Sequence, residues 1–176
     1  MAYRVPFGQL RVGQEAKLRV NEALITSWVS EGRYVREFEE KFAQKFGWRH
    51  AVATSSGTTA GEVVWSAVRE LGGKEKGIFH TAEIAGHGSI SSDYGAVVTP
   101  ACAFVATANC LLASGLVPNF VDVDLDTLNL DPLSTVIKDH GVIAVQFVAT
   151  MGKPNPVKEV AKIAEIHDLW LVGDFC

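Results

Sequence analysis

The stretch Val142-Ile-Ala-Val-Gln-Phe-Val148 reads as a continuous apolar run, and a shorter one, Leu169-Trp-Leu-Val172, follows it. Strands of a mainly parallel sheet are covered on both faces, so they show such runs instead of an alternating pattern. Between the two runs, residues from about Val157 to Ile166 have the spacing of an amphipathic helix. This strand–helix–strand order predicts a parallel sheet with right-handed crossovers.

The same alternation extends toward the N-terminus. Further strands are predicted at His50–Thr54, Ala96–Thr99 and Phe120–Val123, and further helices after Gly57, over Phe104–Ala113 and over Leu133–Lys138. The expected fold class is therefore α/β, a three-layer sandwich with a mainly parallel sheet.

Two amphipathic helices are predicted ahead of this core. Apolar residues recur at helical spacing in each of them, at Ala16, Val20, Leu24 and Trp28 in the first and at Val35, Phe38, Phe42 and Phe46 in the second. Gly32 and Gly47 are the predicted stops. The spacing predicts that the aromatic residues of the second helix belong to the core.

These patterns divide the chain into N-terminal helices (1–47) and an α/β core (48–176). Within the core, residues 74–95 are rich in glycine and serine without a clear period, and we interpret them as an inserted surface loop. The helix before this loop is expected to end at Gly72-Gly73. His80, Glu83 and His87 match no standard ligand spacing, so no metal site is predicted.

Composition excludes several classes of protein. The 176 residues are 48% hydrophobic and 20% charged, as in a soluble globular protein, and the net charge of −4 offers no basic footprint for nucleic acid. No apolar run approaches the roughly 18 residues of a membrane span, and the N-terminus lacks the apolar core of a signal peptide. Cys102, Cys110 and Cys176 have no paired metal spacing and indicate reduced thiols in a cytoplasmic protein.

Three features are expected to meet at the carboxyl edge of the sheet, where open α/β sheets bind ligands. Ser55-Ser-Gly-Thr58 lies between a strand and a helix, so it could cradle a phosphate or simply cap the helix. Phe104 could stack on a flat ring or belong to the core. Asp174 closes an apolar strand and could hold a protonated ring nitrogen or cap a following helix.

Taken together, a phosphate cradle, a stacking ring and a buried carboxylate suit pyridoxal 5′-phosphate better than a dinucleotide. The chain has no Gly-x-Gly-x-x-Gly sequence, which disfavours a plain nucleotide-binding α/β domain.

Several motifs resemble the DegT/DnrJ/StrS family of sugar aminotransferases, which have the aspartate aminotransferase fold. The resemblance rests on Gly32–Glu39, Thr54–Ala60, Val98–Asn109 and Phe120–Asp124. It implies pyridoxal 5′-phosphate as cofactor, a nucleotide-linked keto-sugar and an amino donor as substrates, and a homodimer. It also implies that Ser56, Gly57 and Thr58 contact the phosphate, that Phe104 stacks on the pyridine ring, and that Asp174 pairs with the pyridine nitrogen.

A second resemblance leaves the reaction open. Thr150–Pro154 and Leu169–Cys176 are similar to the deoxysugar 3-dehydratases of the same family, which replace the lysine that binds the cofactor covalently by histidine. The family usually has histidine where Ala149 stands and glutamate where Gly173 stands.

The resemblance places this lysine or histidine, and the whole small domain, downstream of Cys176. No catalytic residue is therefore expected within the chain, which is interpreted as the truncated large domain of a larger enzyme. Three readings remain: a sugar aminotransferase, a 3-dehydratase, or a non-catalytic fragment.

Overall fold

The computed structural model describes residues 10–76, 80–84, 88–92, 95–131, 141–153 and 156–175. The chain folds as two compact units that divide between Ala53 and Thr54. The first unit contains helices α1 (Gln14–Ile25) and α2 (Arg33–Phe46). The second contains, in chain order, α3 (Gly57–Lys76), β1 (His80–Ile84), β2 (Gly88–Ser92), β3 (Ala96–Pro100), α4 (Val105–Ala113), β4 (Val117–Val121), β5 (Val142–Val148), a 3₁₀ turn (Thr150–Gly152), α5 (Val157–Ile166) and β6 (Trp170–Asp174).

Charged side chains join the two helices of the first unit. Arg19 of α1 lies 3.2 Å from a carboxylate oxygen of Glu37 on α2. Glu22 of α1 accepts hydrogen bonds from Arg33 and from the Tyr34 hydroxyl of α2. As predicted, Gly47 ends α2, in the left-handed conformation that glycine adopts at little cost. Among the described residues of this unit none is buried, so the helix pair is held by polar contacts rather than by a core.

The aromatic residues of α2 were predicted to be core, and that prediction is wrong for this structure. Phe38, Phe42 and Phe46 are 56%, 42% and 56% exposed. Their rings follow one another along the helix, with centroids 5.7 and 4.6 Å apart. Helical spacing was identified correctly, but α2 meets α1 through Arg33, Tyr34 and Glu37 instead of through this apolar face.

The second unit confirms the expected α/β sandwich. Its described strands β4, β3, β5 and β6 form, in that order, a sheet in which every neighbouring pair is parallel. On one face, Val97 and Ala144 pack with Trp65 of α3 and Leu111 of α4. On the other face, Val98 and Val145 pack with Val160 of α5. Burial on both faces explains the apolar run of β5, whose residues are all buried.

Two local predictions need correction, and a third concerns residues outside the described part of the chain. Residues 51–54 are irregular rather than a strand, and the Ala53 amide donates to a Glu39 carboxylate oxygen at 2.8 Å. Helix α3 continues through Gly72-Gly73 to Lys76, because glycine lowers helix stability by only about 1 kcal/mol and does not force an end. The helix expected over Leu133–Lys138 lies outside the described residues.

The segment interpreted as an inserted loop contains regular structure. Strands β1 and β2 pair antiparallel within it, from His80 opposite Ser92 to Ile84 opposite Gly88. The sequence analysis missed this hairpin because β2 is rich in glycine and serine, which give little indication of a strand. The side chains of His80, Glu83 and His87 lie outside the described part. Among the residues whose side chains are described, no group of three or more His, Cys, Asp or Glu residues could hold a metal ion. No described helix is long and apolar enough to cross a bilayer.

Candidate cofactor site

Asp174 is the last residue of β6, and its carboxylate lies at the carboxyl edge of the sheet. The Thr107 hydroxyl of α4 donates to Asp174 Oδ2 at 3.1 Å, while the Asp174 carbonyl accepts the Ala149 amide at 2.9 Å. The backbone is thus anchored to the end of β5 and the side chain to α4. A carboxylate fixed in this way is held in one orientation at the carboxyl edge of the sheet, so it can interact with a cationic donor without reorganising.

Phe104 occupies the N-cap position of α4, and its side chain is 72% exposed. The alternative of a core phenylalanine is therefore excluded. The Phe104 carbonyl accepts the Thr107 amide at 2.9 Å, so Thr107 bonds through its backbone to the aromatic residue and through its side chain to Asp174. An exposed ring held one helical turn from the threonine that binds the carboxylate can cover the face of a flat ligand.

The first turn of α3 carries the predicted phosphate cradle. Ser56 acts as the helix cap, since its Oγ accepts the Thr59 amide at 3.1 Å and lies 3.0 Å from Thr59 Oγ1. Capping uses one acceptor position of the Ser56 hydroxyl, and the contact with the Thr59 hydroxyl links the two side chains at the helix start. The first amides of a helix have no partner within it and attract anions. A Cβ at Gly57 would meet nothing within 4 Å, so a ligand can approach this backbone closely.

A cleft of about 440 Å³ connects these features. Gly57, Thr58, Phe104 and Asp174 line it, whereas Ser56 does not. The volume falls within the range of about 300–1,000 Å³ that is usual for small-molecule pockets. Apolar side chains, among them Val64, the buried Trp65 and Val172, form other parts of its wall. A flat ring with a cationic group at one end and an anionic group at the other fits such a lining.

Sequence reasoning missed three polar residues of this lining, Thr107, Cys110 and Gln146. Thr107 follows Phe104 by three residues and so lies on the same side of α4, a spacing from which it could have been found. Gln146 is a polar residue in the otherwise apolar β5, and its buried side chain accepts a hydrogen bond from Thr99 at 3.1 Å. Cys110 gave no signal beyond being a cysteine.

Packing around Gly173 favours glycine at a position where the family that the sequence resembles usually has glutamate. Gly173 pairs with Phe147 across β5 and β6, and a Cβ at Gly173 would lie 2.6 Å from the Phe147 ring and 2.7 Å from the Phe175 ring. These two rings form an edge-to-face pair with centroids 5.4 Å apart. Aromatic side chains therefore occupy the space that a longer residue at position 173 would need.

Comparison with known proteins gives the family. Residues 11–176 match the DegT/DnrJ/EryC1/StrS aminotransferase family. The lipopolysaccharide biosynthesis protein RfbH of Salmonella typhimurium is 30% identical over 173 residues, which are 97% of this chain and 36% of that protein. The chain spans between 33% and 39% of the length of the curated relatives it matches.

Solved structures agree with this assignment. The GDP-4-keto-6-deoxy-D-mannose-3-dehydratase of E. coli, with bound hydrated PLP, superposes with a TM-score of 0.78 at 27% identity, over 97% of this chain and 40% of that one. PseC of Helicobacter pylori, an aminotransferase of pseudoaminic acid biosynthesis, superposes with a TM-score of 0.74 at 25% identity, over 96% and 40%. The chain therefore belongs to the DegT/DnrJ/EryC1/StrS aminotransferase family.

Proposed function

We propose that this chain forms the cofactor-binding part of an enzyme that uses pyridoxal 5′-phosphate to transaminate a nucleotide-linked keto-sugar. The observation that carries the proposal is the cleft in which the first turn of α3, the exposed ring of Phe104 and the Thr107-bonded carboxylate of Asp174 meet. In this proposal Ser56, Gly57 and Thr58 hold the phosphate, Phe104 covers the pyridine ring and Asp174 pairs with its nitrogen.

The described residues fit each part of the cofactor. Helix-start amides and an unobstructed Gly57 suit an anionic phosphate, and an aromatic face suits the ring. The negative charge of Asp174 stabilises a proton on the ring nitrogen. When bound, the cofactor supplies an electron sink for a carbanion formed on the substrate, and Asp174 keeps that sink cationic.

The overall reaction would move an amino group between two carbon atoms. The amino donor gives up its amine and becomes a carbonyl compound, and the keto-sugar exchanges its carbonyl oxygen for that amine. The side chains of this cleft would bind and orient the cofactor. We further propose that the protein works in the cytoplasm and as a homodimer.

A second reaction, removal of the C3 hydroxyl of a 4-keto-6-deoxy sugar, is supported by one observation. The 3-dehydratase of E. coli superposes over 97% of this chain with a TM-score of 0.78. Incubating the enzyme that contains this chain with pyridoxal phosphate, glutamate and a nucleotide-linked 4-keto-6-deoxy sugar distinguishes the two reactions by mass spectrometry. Transamination gives an amino-sugar, whereas dehydration gives a keto-sugar that lacks one oxygen.

Cofactor binding by the 176-residue chain can be tested without turnover. Pyridoxamine 5′-phosphate is the suitable probe, because it has no aldehyde that could react with surface lysines. Trp65 is fully buried and lines the cleft, so tryptophan fluorescence should report binding. We expect saturable binding with one ligand per chain. Failure to bind at millimolar concentration in a folded sample would contradict the proposal.

A further inference from the structure

One side of α4 touches three different parts of the cleft. Phe104, Thr107 and Cys110 follow one another at three-residue spacing and therefore lie on the same side of the helix. Phe104 offers its ring, and Thr107 donates to Asp174 of β6. Cys110 Sγ donates to the carbonyl oxygen of Thr58, in the first turn of α3, at 3.2 Å. Cys110 thus links the helix that carries the ring-binding residues to the helix start that is proposed to bind phosphate.

The thiol occupies a notch on α3 that only glycine leaves open. A Cβ at Gly61 would lie 2.8 Å from Cys110 Sγ and 3.3 Å from Cys110 Cβ, so any side chain there would push the cysteine away. Cys110 is 3% exposed, so its contact with Thr58 is largely shielded from water. Gly61 and Cys110 therefore set the distance between α3 and α4 at the end of the cleft where α3 begins.

The protonation state of the thiol suits a donor. Burial raises the pKa of Cys110, and the negative charges of Glu62 and Asp174 raise it further. Because an ordinary thiol titrates near pH 8.5, a group shifted upward from there carries its proton at neutral pH. A buried thiol without low pKa is also a poor nucleophile, which favours a structural contact over a reactive role.

We propose that Cys110 is a positioning residue for the phosphate end of the cleft, holding the Thr58 peptide so that the first amides of α3 face a ligand whose ring lies against Phe104 and Asp174. The inference rests on the proposed cofactor site and deepens it. Its consequence is selective, since loss of the contact should weaken recognition of the phosphate group and leave recognition of the ring nearly intact.

Two ligands that differ only in the phosphate test this selectivity. Pyridoxamine 5′-phosphate and pyridoxamine are titrated against the unsubstituted chain, Cys110→Ala, Cys110→Ser and the control Cys102→Ala, whose cysteine is exposed and does not line the cleft. Cys110→Ala should weaken binding of the phosphorylated ligand by about threefold to tenfold, the usual effect of one hydrogen bond. Pyridoxamine binding should change by less than about twofold. Cys110→Ser should restore part of the loss, and Cys102→Ala should change neither affinity.

Gly61→Ala provides a second route to the same contact if Cys110→Ala does not fold. It keeps the thiol but displaces it from Thr58, so the phosphorylated ligand alone should again bind more weakly. Equal losses for both ligands, or unchanged affinities in a folded Cys110→Ala or Gly61→Ala protein, would overturn the inference while leaving the cofactor site standing. If the unsubstituted chain binds the two ligands equally well, the proposed phosphate site fails and the role of Cys110 fails with it.

Discussion

The two ends of the cleft are built differently. At the end formed by β6, a single charged side chain, Asp174, is held by a specific partner, Thr107. At the end formed by α3, the groups available to a ligand are several backbone amides and small hydroxyl residues around Gly57. One end therefore depends on one carboxylate, whereas the other distributes its interactions over many weak donors.

This difference predicts how each end responds to substitution. Removing the charge of Asp174 should eliminate most of the attraction to a cationic ring nitrogen, because Asp174 is the one charged side chain among the described residues that line the cleft. Removing one hydroxyl from a helix start leaves the remaining amides in place. Single substitutions should therefore have large effects near Asp174 and small effects near Ser56.

The largest effect is expected for Asp174→Asn. Asparagine keeps the size of the side chain but cannot stabilise a protonated ring nitrogen, so pyridoxamine 5′-phosphate should bind at least about 30-fold more weakly, from a loss of about 2 kcal/mol. Fluorescence titration measures the change. Asp126→Asn is the control, since that aspartate does not line the cleft. Equal affinities of Asp174→Asn and unsubstituted protein would rule out a role of Asp174 in ring recognition.

Thr107→Val should have the next largest effect. Valine has the shape of threonine but cannot donate to the carboxylate, so affinity for pyridoxamine 5′-phosphate should fall about tenfold, as for one hydrogen bond to a charged group. A ligand analogue with carbon in place of the ring nitrogen should bind Thr107→Val and unsubstituted protein alike. Thr107→Ser keeps the hydroxyl, so it should again bind pyridoxamine 5′-phosphate more tightly than the analogue without the ring nitrogen. An equal loss for both ligands would show instead that Thr107 only supports the fold.

Sequence reasoning predicted the strands and the carboxylate of the cleft but not the helix residues that contact them. The apolar runs of β5 and β6 identified the sheet, because burial on both faces leaves a pattern that sequence alone displays. Asp174 followed from that pattern, as the polar residue that ends a strand. The spacing of Thr107 from Phe104 places it on the same side of α4, but the contacts of Thr107 and Cys110 did not follow from the sequence, since their partners, Asp174 and Thr58, lie 67 and 52 residues away along the chain. Contacts of this kind depend on how helices pack and leave no local periodicity.

The same limit explains the errors in the first unit and in the hairpin. The spacing of Phe38, Phe42 and Phe46 correctly indicates one side of a helix, but it does not say what that side meets. Strand β2 consists of glycine and serine apart from one isoleucine, and its backbone pairing with β1 overrides weak strand propensity. Periodicity therefore located the helices α1 and α2 and the buried strands of the sheet, but it did not show which faces are buried, and it did not detect the hairpin.

Phe104→Ala tests the wall between the two ends and should have a moderate effect. Loss of one aromatic stacking contact, worth about 1 kcal/mol, should weaken pyridoxamine 5′-phosphate binding about fivefold. Phe104→Trp should retain binding, because any flat ring can cover the ligand. Phe120→Ala is the matched control, since Phe120 is also exposed but lies outside this cleft. If Phe104→Leu binds as tightly as the unsubstituted protein, apolar contact rather than stacking accounts for the role of Phe104.

The smallest effect is expected for Ser56→Ala, because the remaining amides of α3 still face the phosphate. Affinity for pyridoxamine 5′-phosphate should fall about threefold, and loss of the helix cap should lower the free energy of unfolding by about 1 kcal/mol. Ser56→Asp separates these two roles. Aspartate caps a helix as well as serine does, so stability should be retained, but its charge should repel the phosphate and weaken binding of the phosphorylated ligand alone. If Ser56→Asp binds pyridoxamine 5′-phosphate as tightly as the unsubstituted chain, the phosphate does not lie at the start of α3, and Ser56 serves only as the cap that its bond to Thr59 already shows.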